Sequence, residues 1–153
     1  MTGKRLSRIR ESVFSEGLRK GYSFISYVST KATVFASAIG QNCFILEDNT
    51  VQPFVQIGNN VVLWAGNHVG HHSIIADHVW VTSHVVISGN CIIGNHAWLG
   101  VNSTLREGLT IAQGTVVSMG ACVKKDTELF TIYAGDPARP RGRSDVPHFM
   151  DSL

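Results

Sequence analysis

The sequence predicts an all-β stack of three-sided coils, on three observations. An aliphatic residue recurs at every sixth position from Ile39 to Val123 without a break in phase, through Ile45, Val51, Ile57, Leu63, Val69, Ile75, Val81, Ile87, Ile93, Leu99, Leu105, Ile111 and Val117. Four residues after each of these stands a smaller second set, running from Cys43 and Asn49 to Thr115 and Ala121, in which nothing is aromatic or charged. The residue after the aliphatic one is often Gly, Ala or Ser, as at Gly40, Gly58, Gly70, Ala76, Ser88, Gly94, Gly100, Ala112 and Ser118, which suits a crowded bend. A helix cannot use this period, because six residues are about 1.67 turns and the apolar positions would walk around the cylinder. Short strands joined by bends can. With each unit as one flat face, three units close a triangular coil of 18 residues, the small set fills the corners, and stacked coils form three parallel sheets around one apolar column. Roughly five coils, about 4.8 Å apart, make a prism on the order of 24 Å long.

The remaining elements follow from composition and spacing. At 153 residues the chain has room for one core but not for two ordinary domains. Hydrophobic residues at 44% against 16% charged exclude a disordered chain, and a net charge of +2 is too small for a nucleic-acid binder. No stretch approaches an apolar membrane span, and MTGKRLSRIRES offers no apolar run for a signal peptide, so the cytoplasm is the default compartment. Cys43, Cys91 and Cys122 are odd in number and widely spaced, and read as reduced packing residues. Within residues 1–32, Ser7 to Lys20 carries Ile9, Val13 and Leu18 at roughly helical spacing with charges between, and Gly21 ends the helix. FISYV, residues 24–28, is a strand-like lead-in. The coils occupy 33–126. The chain leaves the repeat at Lys124, and 127–153 hold a closing strand and a polar tail, SDVPHFMDSL, expected to be mobile.

Over about residues 33–126 this repeat resembles that of the hexapeptide-repeat acyltransferases, which implies a left-handed parallel β-helix. LFTIYAGDPARPR is similar to the family's closing segment, a strand followed by Gly-x-Pro-Ala and a basic residue. In longer members a sugar-nucleotide-binding N-terminal domain ends in a helix and strand similar to those here. The resemblance implies that this chain begins where that domain stops.

A β-helix is a scaffold, so function must come from side chains on its outside. His72, His78, His84 and His96 share one unit position, three after the aliphatic residue, which should point outward near a bend. Taken singly, each reads as a solvated or interface histidine. His71 differs in its column: one coil of 18 residues carries it to Gly89 and then to Glu107, and one coil back lies Pro53. A bare backbone beside an imidazole is what acyl transfer needs, since the ring takes the nucleophile's proton and an exposed N–H holds the oxyanion.

The resemblance adds roles. His71 in VGHHSIIADHV falls where the sugar-acetylating branch, which includes bacillosamine-pathway N-acetyltransferases and sialic acid O-acetyltransferases, has Val-x-His followed by Asp or Glu. It implies His71 as general base and Gly89 as the oxyanion glycine. The acidic neighbour is here His72, which cannot supply a negative charge; either Asp77, Glu107 or a backbone carbonyl orients the ring, or activity is weaker than in the relatives. His72 is the second candidate base. The family's donor is acetyl-CoA, held along a groove between two subunits of a homotrimer. By motif, Trp80 falls where a relative has a histidine touching the cofactor, so it either stacks there or simply packs. Gly100 and Val101 of LGVNS and Met119 and Gly120 of SMGA fall in the cofactor-lined coils. Lys124, Lys125, Arg139 and Arg141 would meet its phosphates.

The implied function is an acetyl-CoA-dependent acetyltransferase acting on an amino or hydroxyl group of a sugar, nucleotide-linked and bound for a surface polysaccharide. Two rivals stand beside it. The same fold supports carbonic anhydrases with three histidines on one zinc across a subunit boundary, two of them five residues apart. No pair here has that spacing, and His78 with His96, one coil apart, supplies two ligands. The other rival is a non-catalytic trimeric scaffold.

Overall fold

The computed structural model describes residues 3–144. It is a parallel β-helix built of two-residue strands, one per six-residue unit, with one helix and a C-terminal hairpin. From Ala38 to Cys122 strands pair with the strand 18 residues on: Trp80 and Val81 face Trp98 and Leu99, Val86 and Ile87 face Thr104 and Leu105, and Ile92 and Ile93 face Thr110 and Ile111. The aliphatic residues of three sheets therefore stand in three columns. The first sheet carries Ile45, Leu63, Val81, Leu99 and Val117 inward, the second Val51, Val69, Ile87, Leu105 and Val123, and the third Ile39, Ile57, Ile75, Ile93 and Ile111. The sheets have eight, six and five strands. The stack is about six turns rather than five, because Tyr27–Val28 below and Thr131–Ala134 above add rungs to the first sheet.

The inner column is dry. From Ile45 to Val117 no aliphatic repeat residue is more than 3% exposed, and every member of the small second set from Cys43 to Ala121 is buried. Each aliphatic repeat side chain contributes about 1.5–3 kcal/mol by leaving water. Three polar members of the second set serve the corners: Asn49 Nδ2 donates to the Trp64 carbonyl at 2.7 Å, Asn67 Oδ1 accepts from Val85 N at 2.8 Å, and Ser73 Oγ accepts from Cys91 N at 3.1 Å. Cys43 and Cys91 lie in this column with free thiols that burial pushes above the ordinary range, so they are packing groups and poor nucleophiles.

The corners repay closer reading. The position three after the aliphatic residue has positive φ, near 60°, at Asn42, Asp48, Phe54, Asn60, His72, His78, His84, Asn90, His96 and Asn102, and the series continues at Gly66, Gly108, Gly114 and Gly120. This left-handed region is where Gly, Asn, Asp and His are enriched. Four of the histidines are therefore residues the backbone tolerates there. The glycines that follow the aliphatic residue serve close approach instead: a Cβ on Gly58 would meet the Ala76 backbone at 3.0 Å, and one on Gly94 the Gln113 nitrogen at 2.7 Å.

Helix α1 spans Gly3–Arg19, beginning before Ser7 and ending one residue before Lys20, with Gly21 at φ 83° closing it. Its buried stripe differs from the expected one. Ile9, Val13 and Leu18 are exposed, whereas Phe14 and Gly17 are buried. The reason is the i, i+4, i+7 geometry of Arg10, Phe14 and Gly17: Gly17 counts as core because the Phe24 ring occupies the space its Cβ would take, and Phe24 packs 5.0 Å from Phe14. Arg10 lies over the Phe44 ring and donates to the Asn42 carbonyl at 2.6 Å. At the other end, Thr131–Ala134 pairs antiparallel with Arg139–Arg143. Ser144, expected in the tail, is buried, with Oγ donating to the Gly114 carbonyl at 2.6 Å; the rest of that expected tail lies outside the described residues.

Candidate active site

The edge between the second and third sheets carries His71. Its backbone N–H donates to Gln52 Oε1 at 2.9 Å, its carbonyl accepts from Asn90 N at 2.9 Å, and His72 N donates to the Pro53 carbonyl. These bonds fix the corner's storey. The imidazole lies against Gly89: a Cβ placed there would fall 2.8 Å from His71 Cε1 and 2.9 Å from Nε2. Only glycine at 89 leaves room for the ring. Gly70, which the sequence marks only as a crowded bend, adds to this, since its own Cβ would press on the Gly89 nitrogen. Two missing side chains thus leave that amide uncovered, and among the described residues no protein acceptor meets the Gly89 N–H.

The side chain that meets the His71 ring is His72. The two Nδ1 atoms are 3.1 Å apart with the rings edge to face, and the His72 ring in turn packs 4.7 Å from Phe54. Neither of the expected carboxylates reaches the ring. Asp77 stands on the edge between third and first sheets and accepts from Asn59 N at 2.6 Å, and Glu107, one storey above Gly89, accepts from Asn90 Nδ2 at 3.3 Å. A proton on His71 Nδ1, donated to the His72 lone pair, leaves the His71 Nε2 lone pair beside Gly89. His71 and His72 are both exposed, so the site opens to solvent.

The remaining candidates fall elsewhere. Gly100, Val101, Met119 and Gly120 share the edge between first and second sheets: Gly120 N donates to the Val101 carbonyl at 2.8 Å, and a Cβ on Gly100 would meet Met119 N at 2.5 Å. Met119 is exposed there. These residues and His71 are separated by the width of the second sheet. Trp80 lies on the first sheet, opposite the His71 edge, 9% exposed between Val62 and Trp98 and 6.5 Å from Trp64. Lys124 and Lys125 continue the His71 column upward, but Lys124 is paired with Asp136 at 2.8 Å, a contact that raises the ammonium's pKa and lowers the carboxyl's. Arg139 and Arg141 are exposed on the closing hairpin.

The edge between third and first sheets holds a constellation that sequence reasoning left incomplete. His78 and His96 stack at 4.8 Å, 14° from parallel, and Glu11 of helix α1 reaches both, with Oε1 3.7 Å from His78 Nε2 and 3.6 Å from His96 Nε2. Nothing in the repeat signals Glu11, because it arrives from outside the period.

The sequence matches the model of the bacterial transferase hexapeptide family, six repeats, over residues 37–71, and the same period continues to Val123. The fold is a parallel β-helix with a six-residue repeat. No curated protein matches it in sequence. Among solved structures it is similar to the acetyltransferase domain of PglB from Neisseria gonorrhoeae, with TM-score 0.85 and 26% identity over 88% of this chain and 66% of that one. That domain also has a structure in complex with acetyl coenzyme A. PerB from Caulobacter crescentus, in complex with CoA and GDP-perosamine, superposes with TM-score 0.86 at 22% identity, covering 89% and 66%. AntD from Bacillus cereus, an N-acyltransferase in complex with dTDP and coenzyme A, gives TM-score 0.71 at 21% identity, covering 90% and 96%. The chain spans just under two thirds of the first two.

Proposed function

We propose that this chain is an acetyl-CoA-dependent acetyltransferase that modifies an amino or hydroxyl group of a sugar. The observation that carries the reading is the His71 imidazole lying on the bare Gly89 backbone at an exposed edge. His71 Nε2 removes the proton from the attacking nitrogen or oxygen as that atom bonds to the thioester carbonyl carbon. The Gly89 N–H donates to the carbonyl oxygen as it becomes an oxyanion. The carbon–sulfur bond then breaks, and the thiolate leaves with the proton held by the imidazolium. His72 holds the tautomer and tilt.

The acyl donor follows from the neighbours, since PglB binds acetyl coenzyme A and PerB and AntD bind coenzyme A. A nucleotide-linked sugar is the acceptor class, as in the GDP-perosamine of PerB, and the product belongs to surface polysaccharide synthesis in the cytoplasm. A donor that touches both the His71 edge and the Val101–Met119 edge either crosses the second sheet or lies between two copies. The exposed apolar Val86, Ile74 and Ile92 beside the His71 edge favour the second arrangement, a homotrimer with the site at its seams. Mass spectrometry after incubation with acetyl-CoA and a panel of amino and neutral nucleotide sugars tests the function. One product heavier by an acetyl group, lost with His71→Ala, supports it; no acetylation and no thioester cleavage across the panel overturns it.

A further inference from the structure

We propose that Glu11, His78 and His96 form a divalent-metal site that clasps helix α1 to the β-helix, separate from the His71 edge. The three side chains come from two coils and the helix, and one ligand atom from each lies within 4.8 Å of the others. Around a tetrahedral zinc, ligand atoms at about 2.0–2.1 Å from the metal stand roughly 3.3 Å apart. The Glu11 oxygen is already 3.6 and 3.7 Å from the two Nε2 atoms. Small rotations of the three side chains close the difference.

The surroundings also suit an ion. The side chains are only 15%, 17% and 20% exposed for His78, His96 and Glu11, so the donors are largely shielded from solvent. His78 Nδ1 is 2.9 Å from Asn60 Nδ2, and Asn60 Oδ1 is 2.9 Å from Asn42 Nδ2. Turning both amides over lets Asn60 Oδ1 accept from His78 Nδ1–H, which places the ring proton on Nδ1 and the lone pair on Nε2, the atom that faces Glu11. A ring nitrogen held this way by a second group is the usual support of a ligating histidine. Two imidazoles and one carboxylate suit zinc, cobalt or nickel rather than calcium or magnesium. The backbone assists, because both histidines sit in the left-handed corner position, at φ 62° and 60°, that fixes their stacking.

The test uses the full chain, dialysed against chelator and titrated with Zn²⁺ by calorimetry and with Co²⁺ by visible absorption. The expected result is one ion per chain with Kd near 10 µM or tighter, a cobalt spectrum of four or five ligands, and a Tm that rises with zinc. Glu11→Gln and His96→Asn, which keeps a residue tolerant of positive φ, should each weaken binding by about tenfold or more. His71→Ala should leave it unchanged. No uptake up to 1 mM zinc, or uptake of equal affinity in both Glu11→Gln and His96→Asn, overturns the site.

Discussion

Two of the prism's three edges put their histidines to different use. On the edge between second and third sheets, His71 stands one residue before the left-handed corner, and its ring lies along the column over Gly89. On the edge between third and first sheets, His78 and His96 occupy the corner position itself and stack on each other beneath helix α1. A shift of one place in the six-residue unit separates an imidazole set against an open amide from imidazoles set against their own kind. The lesson is that residue type says little on such a scaffold. What matters is the unit position and what stands one storey above.

The comparison breaks most sharply at His71. His71→Ala should lower turnover about a hundredfold or more if the ring is the base, with Tm within a few degrees of the parent; near-normal turnover would remove it from that role. Gly89→Val comes next. Its Cβ would stand 2.8 Å from the His71 ring, so the imidazole must leave, and turnover should fall at least about tenfold while the fold survives. Equal loss of activity and of thermal stability would make Gly89 structural.

A smaller effect is expected at His72, where Asn keeps tolerance for φ 58° but loses the ring packed against Phe54. His72→Asn should lower kcat about tenfold through a less fixed His71, with KM for the donor little changed; a change in KM alone would place His72 in binding. The smallest belongs to His84, which shares the corner position on the edge between first and second sheets at φ 58°. By denaturant unfolding, His84→Asn should change stability by under about 0.5 kcal/mol, whereas His84→Val should cost about 1–2 kcal/mol, because a branched side chain strains the left-handed backbone. A tolerated valine there would show that the backbone does not select these histidines.

Much of this was legible in one dimension because a β-helix is a local code. Its period of six sets the sheets, the 18-residue register and the inner columns, and the same arithmetic brings His71 to Gly89, since neighbours one storey apart are fixed by sequence separation alone. The run of Asn, Asp, Gly and His three places after the aliphatic residue, broken only at Phe54 between Ile39 and Val117, also held the positive-φ corners, a signal that composition shows once the period is known. Three features were not legible. That His72, not Asp77 or Glu107, meets the His71 ring depends on side-chain torsions at a corner, which the period does not specify. That Phe14 and Gly17 rather than Ile9, Val13 and Leu18 face inward depends on the Phe24 ring filling a glycine's empty space. That Glu11 joins His78 and His96 depends on where a helix outside the repeat comes to rest. Translation along the stack was therefore written in the chain, while every contact made across it, between helix and coil or ring and ring, was decided only when packing chose one rotamer and one docking angle among many that the repeat allows.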